Sequence, residues 1–82
     1  MKRYLLIDNL DDTETIKTEE ELRKLYDCLL DEIISMNNFP QDEEYRKNVY
    51  KEKEEVFKID IKKVISAIMD IDGFYEIKEY EE

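Results

Sequence analysis

Histidine and tryptophan are absent from this 82-residue chain, and cysteine, glycine, proline and alanine occur once each. Without histidine, and with Cys28 alone, the usual nitrogen and sulfur ligand sets for zinc cannot be assembled, and no internal disulfide can form. Ser35 and Ser66 have no histidine to take a proton and no glycine-flanked elbow to sit on. The same shortage leaves Cys28 without an activating base; its place beside an apolar helical stripe predicts a packing residue. A single glycine cannot build a phosphate-cradling loop. Long apolar runs are missing too. Near the N-terminus only Tyr4 to Ile7 are unbroken before Asp8, short of the roughly 7–15 residues of a secretory core or about 20 of a membrane span. These gaps leave no catalytic, cofactor or metal set and predict a cytoplasmic protein with no membrane segment.

What the chain does have is negative charge. Twenty-three acids face thirteen bases, for a formal net charge of −10. Phosphate backbones and anionic lipid surfaces call for the opposite sign, so direct nucleic-acid or membrane binding is disfavoured. A basic protein surface, such as that of a nucleic-acid-binding protein or nuclease, is the complementary partner, because opposed fields speed and orient encounter. The plainer alternative is charge that keeps a small domain in solution. The length fits one domain, residues 1–82, that buries only about 60% of its unfolded surface. Nearly every large apolar side chain must therefore enter one core.

Along the chain, residues 2–7 and the following TETIKT read as a strand and a shorter return strand around the turn NLDD. Thr18-Glu19-Glu20-Glu21 has the form of a capping box, with three acids suited to the positive end of a helix. The predicted helix carries Leu22, Leu25, Tyr26, Leu29, Ile33 and Met36 on one stripe, with Asn37-Asn38 and Phe39-Pro40 ending it. On its far face Glu20 stands four residues before Lys24, the favourable order for an ion pair. Residues 41–58 are highly charged; Val49, Tyr50, Val56 and Phe57 recur at seven-residue spacing, yet Lys53 and Glu54 interrupt the stripe. A helix resuming through Ile61, Val64, Ile65 and Ile68 is favoured. Three forms stay open for residues 43–70: one helix, a helix kinked where Asp60 caps a new start, or a strand near 56–61, where VFKIDIK alternates. Gly73 is expected to stop the last helix in a left-handed conformation. In DGFYEIKEYEE, Tyr75 and Ile77 share the inner face of a closing strand, and the residues beyond Lys78 form an acidic surface. The fold class predicted is α+β: two or three antiparallel strands, from both ends of the chain, packed on two helices.

Among clustered oxygen donors, DNLDDTE has Leu10 where a calcium ligand should stand and no glycine, and in DIDG the bulky pair Phe74-Tyr75 follows the glycine, so they read as a turn and a helix stop. Acids are plentiful, but on predicted outer faces beside lysines, where nothing would split their acidities as general acid–base chemistry needs. Surfaces remain. Candidate partner-binding residues are Glu20, Asp27 and Asp31 on the leading helix, then Glu43, Glu44, Tyr45, Tyr50, Glu52, Glu54 and Glu55, and finally Glu76, Glu79 and Tyr80. Carboxylates three or four apart on a helix stand about 5–6 Å from one another, close to the spacing of successive phosphates. Tyrosines among them supply rigid anchors.

Ten isoleucines, ten lysines and six tyrosines beside single alanine, glycine and proline residues match AT-rich coding. In size, acidity, this bias and its lack of catalytic residues, the chain resembles small proteins encoded by phages and mobile elements of Gram-positive bacteria, among them anti-CRISPR proteins and other DNA-mimic inhibitors. The resemblance implies an inhibitor that occupies the basic nucleic-acid channel of a host defence nuclease. The alternative is a structural or regulatory module that forms a homodimer through an apolar face of the second helix.

Overall fold

A computed structural model describes residues 2–35 and 42–80. Strands β1 (Arg3–Asp8), β2 (Thr13–Thr18) and β3 (Tyr75–Tyr80) form one antiparallel sheet in the order β2-β1-β3. Helices α1 (Glu19–Ser35), α2 (Glu43–Glu55) and α3 (Ile61–Ile71) complete a small α+β domain. The two ends of the chain meet on β1, as the sequence predicts.

Alternation sets the faces of the sheet. Tyr4, Leu6 and Ile77 point to the helices and are buried, and the register Leu6↔Thr15 and Leu6↔Ile77 places Thr15 on the same side. The hairpin turn is closed by the Asp8 carboxylate, which accepts from the Leu10 amide at 3.0 Å, and by Asp12, whose φ of 54° is a conformation aspartate tolerates. The Asn9 amide then donates to the Phe74 carbonyl at 2.9 Å, tying the turn to the start of β3.

The capping box forms as expected: the Thr18 hydroxyl accepts from the Glu21 amide and the Glu21 carboxylate from the Thr18 amide, both at 3.2 Å. Beyond it α1 buries Leu22, Tyr26, Leu29 and Leu30, with Leu25 and Ile33 half-buried at the margin. Met36 and the Asn37-to-Pro40 stop lie outside the described residues. Val64 and Ile68 of α3, both fully enclosed, pack with Leu22 and Tyr4 at the centre of the core.

Residues 43–70 resolve into two helices, and the strand near 56–61 does not form. The Asp60 carboxylate accepts from the Lys62 amide at 2.8 Å and opens α3 afresh. Val49 and Val56 enter the core, whereas Tyr50 and Phe57, which share their spacing, stay exposed. In the break, Arg23 donates to the carbonyls of Val56 and Ile59 at 2.8 and 2.6 Å. It supplies the donors that a continuous helix would have provided.

Three expectations need correction. Gly73 has no positive φ; α3 ends instead at Asp72, whose amide reaches the Ile68 carbonyl and whose carboxylate accepts from the Phe74 amide at 3.0 Å. Pairing of Arg3 with Tyr80 carries β3 past Lys78, so Glu79 and Tyr80 belong to the strand. Cys28 is exposed, because it looks out over the part of β2 that no helix covers.

The molecule is flat. Its Cα extents are 43 × 28 × 14 Å and its radius of gyration is 13.4 Å, against about 12 Å for a compact chain of this length. Among the described residues no helix is long and apolar enough to cross a membrane.

Candidate functional site

On α1 the predicted acidic face is largely answered by lysines. Glu20 pairs with Lys24 at 3.6 Å, and Lys53 of α2 reaches both Asp27 at 3.1 Å and Asp31 at 2.5 Å. These bonds to Asp31 and Asp27 raise the Lys53 pKa above its ordinary value. One turn away Tyr26 donates its hydroxyl to Glu52; burial, then that carboxylate, pushes the tyrosine pKa up. Asp27, Asp31 and Glu52 are thus a seam that fastens α2 to α1. Lys53, which breaks the apolar stripe in the sequence, is the centre of that seam.

Glu43, Glu44, Tyr45, Tyr50, Glu54 and Glu55 are all exposed on α2. They share the helix with Arg46, Lys47, Lys51 and Lys53, so that face is mixed rather than acidic. Tyr45 lines a shallow groove of about 280 Å3 with Tyr26, Ile33 and Val49. Glu76 and Tyr80 stand on the opposite side of the molecule, the solvent face of the sheet, by their register with Ile7 and Arg3. Glu79 is at the rim, paired with Lys2 at 3.6 Å. The predicted residues therefore occupy separate surfaces and do not form one site.

A second set of acids surrounds Tyr75. Tyr75 is half-buried at one end of the sheet, and its pKa is raised first by burial and then by Asp8, Asp72, Glu32 and Asp11. These four carboxylates come from the end of β1, the cap of α3, the far half of α1 and the hairpin turn. None of them makes an ion pair among the described residues. The pairing Asp8↔Tyr75 explains the convergence, since it sets the β1–β2 turn and the α3–β3 turn at the same end. Reading DNLDD as a turn and DIDG as a helix stop was the available signal; their proximity depends on strand register. The carboxylates are spread over the surface, and among the described residues no group of three or more could hold a metal ion.

Beside this end, between α1 and β2, lies an open cleft of about 450 Å3. Leu6, Leu25 and Tyr75 supply its apolar surface, and Thr13, Thr15 and Cys28 its hydroxyl and thiol groups. Its charged groups are already engaged: Lys17 with Glu21 at 3.7 Å, Lys24 with Glu20, and Asp8 with the Leu10 amide. Compared with protein-family models, curated proteins and solved structures, the chain matches none.

Proposed function

We propose that this is a non-enzymatic interaction protein that docks its acidic end onto a basic protein surface. The observation that carries the reading is the group Asp8, Asp11, Glu32 and Asp72 around Tyr75, four carboxylates that make no ion pair among the described residues. Carboxylates with no ion pair among the described residues gain most from an oppositely charged partner. Tyr75 adds an aromatic anchor at its centre. Surfaces that bind nucleic acid have the matching charge, so the favoured partner is a nuclease or other nucleic-acid-binding protein of the cytoplasm, occupied by charge mimicry. A phage-encoded inhibitor of a host defence nuclease would work in this way. The exposed acids and tyrosines of α2 would form a second, weaker contact.

The test is capture from a bacterial lysate at low and at high salt, followed by a DNA-cleavage assay on the captured protein. Capture should fall steeply with salt, because charge contacts are screened within a Debye length of about 8 Å at physiological ionic strength. Exchanging Asp11 for Asn and Glu32 for Gln removes two charges that make no cap or turn hydrogen bond, and should slow association several-fold. Binding that ignores both salt and these substitutions would overturn the reading.

A further inference from the structure

The sheet has two faces, and the chain covers only one. On the bare face, register places Thr18, Arg3 and Tyr80 in one row, Ile16, Leu5 and Lys78 in the next, and Glu14, Ile7 and Glu76 in the third. Ile16 is 43% exposed and Tyr80 38%; Phe74, just before β3, is 53% exposed. Two bases, Arg3 and Lys78, stand toward one end of this face, and two acids, Glu14 and Glu76, toward the other. The face is therefore neutral on a molecule of net charge −10. Glu14, Glu76 and Lys78 make no ion pair among the described residues.

We infer that this face is the interface of a homodimer in which two sheets pack as a sandwich. The arrangement is self-complementary about a two-fold axis lying in the interface, across the strands, between the Leu5 and Ile7 rows. That operation reverses each strand over its own copy. It sets Lys78 of one molecule opposite Glu76 of the other, twice along β3, with Leu5 over Ile7 beside them on β1 and Ile16 over Glu14 at the β2 edge. Tyr80 then lies over the Phe74 end of the second copy, and Arg3 over its acidic hairpin turn. Such isologous matching is what a two-fold interface requires, and sheets stacked face to face within about 30° are a common packing. A different protein would have to reproduce this pattern of bases, apolar centre and acids; a second copy carries it already.

Size sets the class of interface. Three strands about 4.8 Å apart and six residues long, at about 3.4 Å per residue, present roughly 14 by 20 Å. With the flanking side chains, two copies bury roughly 1,000 Å2, below the range of stable interfaces and in that of weak, reversible ones, so a dimer no tighter than micromolar is expected. α2, Glu32 and Tyr75, which lie on the helix side of the sheet, stay uncovered in it, and the inference does not rest on the proposed function.

Analytical ultracentrifugation of the full chain from about 1 to about 500 µM tests it across the range such an interface implies. Wild type should pass from monomer to dimer. Lys78→Glu and Glu76→Lys each set like charges opposite one another twice, and should raise the dissociation constant about tenfold or more. Mixing the two variants should restore dimers, because the mixed pair has opposite charges at both places. The double exchange in one chain should restore the homodimer for the same reason. Both positions are exposed, and circular dichroism checks that each variant is folded. A wild type that stays monomeric throughout, or single variants that dimerise undiminished, or mixtures that fail to recover, would overturn this interface.

Discussion

Arg23 does two jobs with one planar group. One guanidinium nitrogen takes the Val56 and Ile59 carbonyls, and the other meets Glu19 at 2.8 Å. Replacing it with Met keeps the apolar stem but strands those carbonyls. The expected cost is about 1.5–3 kcal/mol, typical for hydrogen bonds to a charged group, read as a lower urea midpoint; Lys should rescue little, because a single ammonium cannot reproduce the fork. Glu21 makes a different prediction. The Thr18 amide, more than any other favourable contact, holds its carboxyl below the ordinary glutamate value of 4.5. A carboxyl pKa depressed on folding contributes stability above its unfolded value, and that contribution is lost as pH falls through the folded value. The melting temperatures of wild type and Glu21→Ala should thus differ most near neutral pH and converge well below pH 4.5. At this scale the cap was legible in four consecutive residues. The role of Arg23 was not, since its two carbonyl acceptors lie more than thirty positions away.

Among the elements, α1 follows from its capping box and its period, and the hairpin from alternation around NLDD. α2 is the weakest. Val49 is its one buried side chain, so little apolar area holds it, and a helix polar nearly all round depends on its neighbours. Lys53 and the Tyr26–Glu52 bond supply that support from α1. Amides of α2 should exchange with deuterium earlier than those of α1 or the sheet. Lys53→Ala should accelerate exchange in α2 and leave the β1 and α1 amides unchanged; uniform acceleration everywhere would show instead that α2 opens only with the whole domain. The break between α2 and α3 illustrates a limit of local patterns. VFKIDIK alternates like a strand, and its stripe also continues like a helix. Asp60 as a cap and Arg23 as a donor settle the contest, and only the first is visible nearby in the chain.

For the whole molecule, the two proposed surfaces differ in how their charge is organised, and salt separates them. The end around Tyr75 gathers four carboxylates, so raising salt from about 50 to about 500 mM should cut partner capture severely. The bare sheet face is neutral and apolar at its centre, so sedimentation over the same range should show dimerisation changing much less. A dimer that dissolves in step with partner binding would mean that charge, and not the Leu5–Ile7 centre, holds it.

Composition alone bounded part of the chemistry: no histidine and a single cysteine leave no imidazole ligand and no pair of thiols for an internal disulfide. Periodicity and the capping box also placed the start of α1 and the strand alternation, and offered Asp60 as one of several forms for α3, because these depend on neighbours within a few residues. Where charge accumulates was a matter of folding. Asp27 and Asp31, prominent in the chain, are consumed by Lys53, while Asp8, Asp11, Glu32 and Asp72, scattered through it, are gathered by the register of β3 on β1. Net charge is a sum over residues and survives any rearrangement; a field is set by distances, and distances between remote residues exist only once the chain has folded.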